Sequence, residues 1–435
     1  MNAAPATLPL TKSPQLDAGL GPALLEATEL NTAVAEAPCA VPLRRRVTPS
    51  RHGIHPWRVT LFISNLANDG GAEVQSIDLA RGLKSRGWDI SVVSMSAPRN
   101  GGELLLSDGI PVHTLDAHGW DLARPMLGLA RFLREERPHI LHCHMSHAVL
   151  TARMARLLRR VPVVIGTLHG LKMYNVRGTG WRVRETLNGL TDWLSDVTTV
   201  VCSAAAEHYL STGAISRDSL RLIPNGVSTD RFRFSPAVRQ RVRTELGVNG
   251  EFVWLQVGRF QPVKDHHTML RAFARVTAET PRSLLLLAGS GPLQGELEEL
   301  AKGLGLGSRV RFLGTRSDIP DLLAGADGCV LSSVCEALPM ALLEAAATGV
   351  PCVTTDVGGT SDIVVHGVTG FLAPASNPEA LSNAMLRLAA LPVSSRAWMG
   401  EQARRHVTSR FGLNEVVGQW EQLYHEMLAK KEVRQ

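Results

Sequence analysis

Residues 332–370, SSVCEALPMALLEAAATGVPCVTTDVGGTSDIVVHGVTG, leave the chain few ways to fold. An apolar run at 329–333 stops at a polar turn that carries Glu336. Pro339 opens a helix holding Glu344, at a position where its missing N–H is no loss. Gly349 closes that helix, and a second apolar run, VPCVTT, follows at once. Strand, turn, helix, strand in this order is a parallel α/β unit, since parallel strands need a crossover between them. The first carboxylate stands beside a helix N-terminus, whose unpaired N–H groups suit an anion. The second lies eight residues on, an expected two helical turns deeper.

The same alternation runs through most of the chain. Order is expected to start with a strand at 57–63, followed by the glycine turn Gly70-Gly71, a helix to 85 and a strand at 89–94. Strands are expected at 111–115, 140–144, 161–168, 196–202 and 221–224, with helices at 125–134, 147–158, 182–194 and 204–211. A polar, Arg-rich connector with a helical middle occupies 232–248. The scheme then repeats with strands at 252–257, 283–288 and 310–313, helices at 267–279, 293–304 and 319–324, and final helices at 378–391 and 414–430. Two α/β domains therefore meet across a linker near 228–250, as 435 residues would suggest. Ligands of such sheets bind outside the carboxyl ends of the strands, so a shared cleft is the expected site. Residues 1–53, rich in Ala, Pro, Leu and Thr without a period, read as a disordered leader or one holding a short helix at 22–35.

Composition narrows the class. Hydrophobic residues make up 44% and charged ones 20%, the balance of a soluble globular protein. No apolar run approaches the roughly 18 residues of a transmembrane helix, and no basic stretch followed by an apolar core marks a signal peptide. The six cysteines form no C-x-x-C pair and read as reduced thiols of a cytosolic protein. Of the net charge of +6, residues 51–225 carry +5, from 20 basic and 15 acidic side chains. Arg153, Arg156, Arg159 and Arg160 contribute, either as a solvated helix face or as an attraction for anionic lipid or acidic substrate. Nucleic acid is not expected, because no basic-plus-aromatic module is present.

Several residues carry candidate chemistry. Gly258, Arg259 and Lys264 follow a strand, and two cations within six residues suit a diphosphate. Gly289 and Gly291, with Gly295 one turn on, resemble a dinucleotide fingerprint, but the spacing is G-x-G-x-x-x-G and no strand-end acid follows. They fit a loop that passes close to a nucleotide. The turn at Gly70-Gly71 either reaches a phosphate or sugar through its amides or is simply tight. His139, His142, His144 and His147 surround Cys143 without a paired Cys or carboxylate, so they read as core or cleft-lining groups and no metal is assigned. His169 ends a strand on the side of the cleft opposite the carboxylates, and Asn225-Gly226 marks a turn at the domain junction. Glu336 and Glu344 lie on one strand–turn–helix unit and would not flank a bond from two sides, so they read as acceptors for ligand hydroxyls rather than as a glycosidase pair.

Taken in order, VGRFQPVKD (257–265), LAGSGPL (287–293), IPNGVSTDRF (223–232), the E-x7-E pattern at 336–344, TDVGGTSDIVVHGVTGFL (355–372), GGAE with LARGLKSRGWDISVVS (71–94) and TLHG (167–170) resemble the retaining glycosyltransferases of the GT-B fold, family 4, from about 58 to 425. The resemblance implies two Rossmann-like domains facing across a cleft: an acceptor domain over 54–228, joined by the helix at about 414–432, and a nucleotide-sugar donor domain over 229–413. It implies that Glu344 holds the ribose, Glu336 the transferred sugar, and Arg259 and Lys264 the diphosphate. The amides around Ala337, Leu338, Pro339 and Met340, together with Gly258, Gly289, Gly291 and Asn225, complete the donor side. His169, Gly70 and Gly71 close the cleft from the other half. Neither a metal nor a cofactor is implied. A nucleoside-diphosphate sugar would be donor and a glycan or lipid-linked molecule acceptor, at the cytoplasmic face of a membrane, with peripheral contact to anionic lipid left open and no oligomeric state implied. An epimerase of the same fold and an inactive nucleotide-sugar binding module are the alternatives. Two positions depart from the family pattern: Ala337 replaces a usual glycine, and His139 stands where an aspartate is common.

Overall fold

The computed structural model describes residues 56–66, 70–97, 100–116, 123–171, 180–248 and 250–431. The expected leader at 1–53 lies outside them. In the first half a seven-stranded parallel sheet is built from β1 (Arg58–Ile63), β2 (Asp89–Ser94), β3 (Val112–Thr114), β4 (Ile140–His144), β5 (Val163–Leu168), β6 (Val197–Val200) and β7 (Leu220–Leu222), in the spatial order β3-β2-β1-β4-β5-β6-β7. In the second half β8 (Phe252–Val257), β9 (Ser283–Ala288), β10 (Val310–Gly314), β11 (Gly328–Leu331), β12 (Cys352–Thr355) and β13 (Gly370–Ala373) lie in the order β10-β9-β8-β11-β12-β13. Both sheets reverse direction of winding next to their first strand, between β1 and β4 and between β8 and β11. A crevice opens at the carboxyl ends of the strands at such a reversal. The strands are mostly apolar, and β4, β5 and β9 are buried at every position, as sheets covered by helices on both faces require.

Helices α1 (Gly71–Ser85), α2 (Asn100–Ser107), α3 (Ala123–Glu136), α4 (Ser146–Leu158), α5 (Gly180–Thr191) and α6 (Ser203–Ser211) cover the first sheet. The connector holds α7 (Pro236–Glu245), and the second half carries α8 (His266–Glu279), α9 (Gln294–Gly303), α10 (Ile319–Gly325), α11 (Met340–Thr348), α12 (Thr360–Ile363), α13 (Pro378–Ala390) and α14 (Val393–Phe411). The last helix, α15 (Leu413–Lys430), packs on the first half. Glu421 accepts hydrogen bonds from Arg86 and from the Trp88 indole, and Tyr424 is buried beside Trp88 and His142. The chain crosses between halves twice, and the crossings are bonded to each other: Val227 N–H donates to Phe411 O at 2.8 Å and Leu413 N–H to Val227 O at 2.9 Å.

Four elements were not expected from the pattern: α2, the short α12, β13 and the 19-residue α14. α14 hides because its buried face is Met399, Gly400, Ala403, Val407 and Phe411, largely small side chains that leave little apolar signal. The helix of α11 begins at Met340 with Pro339 as its extended cap, so Glu336 sits on the preceding turn and Glu344 only in the second helical turn. The expected two-turn spacing fails because the residue before a proline is driven out of the helical region. Gly349 caps the other end in the left-handed conformation, φ +83°.

Arg153 corrects the expectation for the arginine cluster. It is fully buried in α4, and all five of its N–H groups are used: on Ser195, Asn188 O, Thr191, Asp192 and Thr198. It faces neither lipid nor solvent, because burying a guanidinium requires that every donor be matched. Arg156 is tied to Asp196 at 2.9 Å and to Leu194 O, which leaves Arg159 and Arg160 exposed. Cys143, Cys202, Cys329 and Cys352 are buried free thiols and Cys335 is half-buried.

Candidate functional site

In the second half the strand-end loops after β8 and β11 are stitched together. Ser332 donates from its hydroxyl to the carbonyls of Lys264 and Asp265, both at 2.9 Å, and Val334 N–H donates to Val263 O. That backbone frame brings Lys264 Nζ to 2.5 Å from Glu336 Oε1, where the Ser333 hydroxyl also donates at 2.6 Å. Both charged side chains are mostly shielded, so each holds the other in place and leaves the second Glu336 oxygen for a ligand. Arg259 is exposed in the same loop as Gly258. The close approach made by Gly289 and Gly291 is to this neighbouring loop: a Cβ on either would lie 2.0 Å from Gly258 O or 2.4 Å from Phe260 O. Those glycines thus bring the β8 and β9 loops together at the crevice.

The turn of Ala337, Leu338 and Pro339 is held from both halves. Ala337 O accepts from Gly359 N–H at 2.9 Å, and Leu338 O accepts from Asn225 Nδ2 at 3.3 Å. Gly358 and Gly359 lie flat against the turn; Cβ atoms there would stand 1.7 Å from Glu336 O and 2.1 Å from Ala337 O. Met340 opens α11 opposite Gly71, whose added Cβ would be 3.2 Å from Met340 Cγ. Gly70 itself is ordinary extended backbone, φ −124°, and a Cβ there would meet the Glu73 carboxylate at 2.2 Å, so only Gly71 serves clearance across the cleft.

Glu344 does not join the Lys264–Glu336 pair. It lines a cavity of about 240 Å³ with Met340, Asp78 and Arg81 of α1, and Ser228 and Arg231 of the crossing. Burial pushes its pKa up to about 7, against the nearby Arg231 and with help from Asp78. Burial likewise raises Asp78, while Arg231 and Arg81 oppose it. Asp78 and Arg231 were not singled out from sequence; an acid seven residues into a helix carries no motif.

The first half presents histidines instead of charges. His169, just beyond β5, shares a hydrogen bond of 3.0 Å between its Nε2 and His144 Nδ1. His144 lies against His142, ring centroids 4.1 Å apart, and His142 bonds Tyr424 and Thr167, each at 2.7 Å. Thr167 continues to Thr199 at 2.7 Å. The network thus runs from α15 through the sheet to the cleft. Burial lowers the pKa of all three histidines, His169 to about 4, so they are neutral at pH 7. Asn225 stands beside His169 and opposes that shift, though Asn225 Oδ1 and His169 Nδ1 remain without a hydrogen bond that meets geometric limits. His142 has both ring nitrogens hydrogen-bonded, whereas His144 uses only Nδ1 and its Nε2 is buried without a partner. His139 lies at the opposite end of β4, where its Nδ1 accepts from Arg58 N–H at 2.9 Å, a contact a carboxylate could also make. One polar link spans the halves further out: Ser203, through its N–H and hydroxyl, donates to the Asp362 carboxylate at 3.0 and 2.7 Å.

The sequence profile described as Glycosyltransferase Family 4 matches residues 69–231, and that of Glycosyl transferases group 1 matches residues 238–406. The UDP-Gal:alpha-D-GlcNAc-diphosphoundecaprenol alpha-1,3-galactosyltransferase of Escherichia coli is 27% identical, across 71% of this chain and 80% of that protein. The D-inositol 3-phosphate glycosyltransferase of Geodermatophilus obscurus is 31% identical, across 78% of this chain and 80% of its own. Anabaena HepE, solved in complex with UDP-glucose, superposes with a TM-score of 0.75 at 25% identity, over 85% of this chain and 99% of that one. With both profiles falling in chain order on the two sheets that form the crevice, the chain belongs to the family 4 glycosyltransferases and has the GT-B fold.

Proposed function

We propose that the enzyme moves a hexose-type sugar from a UDP-sugar to a glycan or lipid-linked acceptor, with retention at the anomeric carbon, in the assembly of a cell-surface polysaccharide or glycolipid. The observation that carries this reading is the Lys264–Glu336–Ser333 cluster at the reversal point of the donor sheet, beside the N-terminus of α11. A diphosphate placed there meets Lys264, Arg259 and the open first-turn N–H groups of the helix, which together stabilise the charge that develops as the phosphate departs. The sugar hydroxyls fall to the free Glu336 oxygen. Glu344, half protonated near pH 7, can accept from or donate to a ribose hydroxyl. The proposal assigns no metal, since two cations and a helix terminus supply the positive charge.

In the reaction the bond between the sugar C1 and the diphosphate oxygen breaks, and the acceptor oxygen bonds C1 from the same face. The acceptor proton passes to the departing phosphate oxygen. The neutral His169 offers a hydrogen-bonding nitrogen on the opposite wall. The donor base rests on likeness to relatives whose names include UDP-Gal and UDP-glucose. An undecaprenol-linked acceptor in the E. coli relative favours a lipid-linked acceptor here, at the inner face of a membrane. The described residues contain no helix long and apolar enough to cross one.

A thermal-shift panel of UDP-, GDP- and ADP-sugars tests the donor, since a tightly held ligand stabilises by several kcal/mol at high saturation. A shift with UDP-sugars that Arg259→Ala and Glu344→Ala abolish supports the assignment. Donor conversion without any acceptor would instead indicate an epimerase.

A further inference from the structure

α5 has two unlike sides. Asn188 is buried and its carbonyl anchors Arg153, whereas Val183, Leu187 and Leu190 form an outward stripe at helical spacing. Leu190 is 67% exposed, and Trp193, in the turn that follows, is 73% exposed. Beside them the last turn of α4 exposes Leu157 and Leu158, and Arg156 ties α4 to the turn after α5 through Leu194 O at 2.9 Å. Five of the 15 exposed large hydrophobic side chains among the described residues therefore lie on these two neighbouring helices, and a sixth, Trp193, on the turn that follows. A stripe at this spacing normally marks a buried face, so its exposure calls for an occupant.

The charges indicate which occupant. α4 carries no carboxylate, and Glu185 is the acid of α5; it is engaged with His208 at 2.6 Å. The neighbouring Asp192 is neutralised by Arg153, and Asp196 by Arg156 and Lys431. The exposed charges at the end of α4 are Arg159 and Arg160. The flank is thus apolar and positive, with a tryptophan at its edge. A second copy of the chain would bring like arginines together in a two-fold contact, whereas anionic headgroups would meet arginine and the acyl boundary would receive the stripe.

We propose that this flank of the first half, the α5 stripe with Leu157, Leu158, Arg159 and Arg160, docks on an anionic lipid bilayer. The proposal rests on the lipid-linked acceptor reading above and gives that reading a surface. α5 follows the carboxyl end of β5, where His169 stands, so the docked flank extends from the cleft end of the first sheet to its far end. A lipid-linked acceptor lying in the same bilayer would meet the cleft without leaving the membrane plane.

The test is vesicle flotation of the full chain on phosphatidylcholine alone and on equal phosphatidylcholine and phosphatidylglycerol, at 0.1 M salt. The wild type is expected to float with the anionic vesicles and not with the neutral ones. Arg159→Glu/Arg160→Glu should weaken the partition coefficient at least about 25-fold, at about fivefold for each charge. Leu190→Ser/Trp193→Ser should weaken it at least tenfold. Wild type that stays unbound on both compositions, or variants that bind as tightly as wild type, would overturn the proposal. So would light scattering in which the apolar variant turns a dimer into a monomer while vesicle binding is unchanged. A UDP-sugar thermal shift is measured on each protein alongside: a normal shift without flotation removes the docking surface alone, and flotation without any shift removes the donor assignment alone.

Discussion

The two walls of the cleft are built on the same sheet geometry but with opposite electrostatics. The proposed donor wall fixes charge at the strand ends, with Lys264 and Ser333 both within hydrogen-bond reach of Glu336. The acceptor wall removes charge, with three histidines held neutral by burial and linked through Thr167 and Tyr424 to α15. A leaving diphosphate needs fixed counter-charge. An attacking hydroxyl needs a hydrogen-bond partner that neither repels the donor nor competes for its charge. Under the proposed function the contrast gives departure to one wall and approach to the other.

The largest effect should come from breaking the charged wall. Glu336→Ala leaves Lys264 unpaired and removes the proposed sugar contact, and kcat/KM for transfer should fall roughly 10³-fold. On the neutral wall His169→Ala should cost roughly 10²-fold, seen mainly in kcat. Tyr424→Phe, three links away from His169 along the network, should cost about fivefold, the value of one net hydrogen bond. Equal losses at Glu336 and Tyr424 would erase the distinction between the walls.

Gly358→Ala probes how tightly the donor turn is seated. Its Cβ would stand 1.7 Å from Glu336 O at φ +58°, so the turn must shift, and stability should drop by about 2 kcal/mol in urea titration. Gly295→Ala, with open space around it, should be neutral or slightly stabilising.

The smallest effect separates the walls by the sign of their pH dependence. Glu344 is raised from 4.5 to about 7, so the folded chain holds a proton that the unfolded chain has lost, and its contribution falls as pH rises through that window. His169 is lowered from 6.5 to about 4, so the unfolded chain takes up the proton, and stability falls as pH drops through that window. Glu344→Gln should therefore stabilise at pH 8 relative to pH 5 by on the order of 1 kcal/mol. His169→Gln should flatten the loss between pH 6.5 and 4. Melting temperatures across pH 4–8 check both.

The division of the sequence into two alternating halves was legible because apolar strands and glycine-closed helices leave strong local signals, as at 328–355. Lys264 and Glu336, the residues proposed to hold the donor, could be singled out for a related reason: they sit on loops next to strands that can be recognised one at a time. What was hidden depends on distance. Nothing near Arg153 in sequence announces that Asp192, Ser195 and Thr198 will surround it, so a structural anchor looked like part of a basic surface. The link from His142 to Tyr424 spans 282 positions, and the cavity joining Glu344 to Asp78 and Arg231 draws on four separate segments. The α5 stripe has helical spacing in the sequence too, but spacing alone says buried; only the fold reveals that it faces outward.

The central claim is that the donor wall grips a nucleoside diphosphate through Lys264. Isothermal titration of UDP into the wild type and into Lys264→Ala tests it without any acceptor. The account expects measurable binding in the wild type and a loss of at least tenfold in the variant, with its fold intact by circular dichroism. Equal UDP affinity in the two proteins would contradict it.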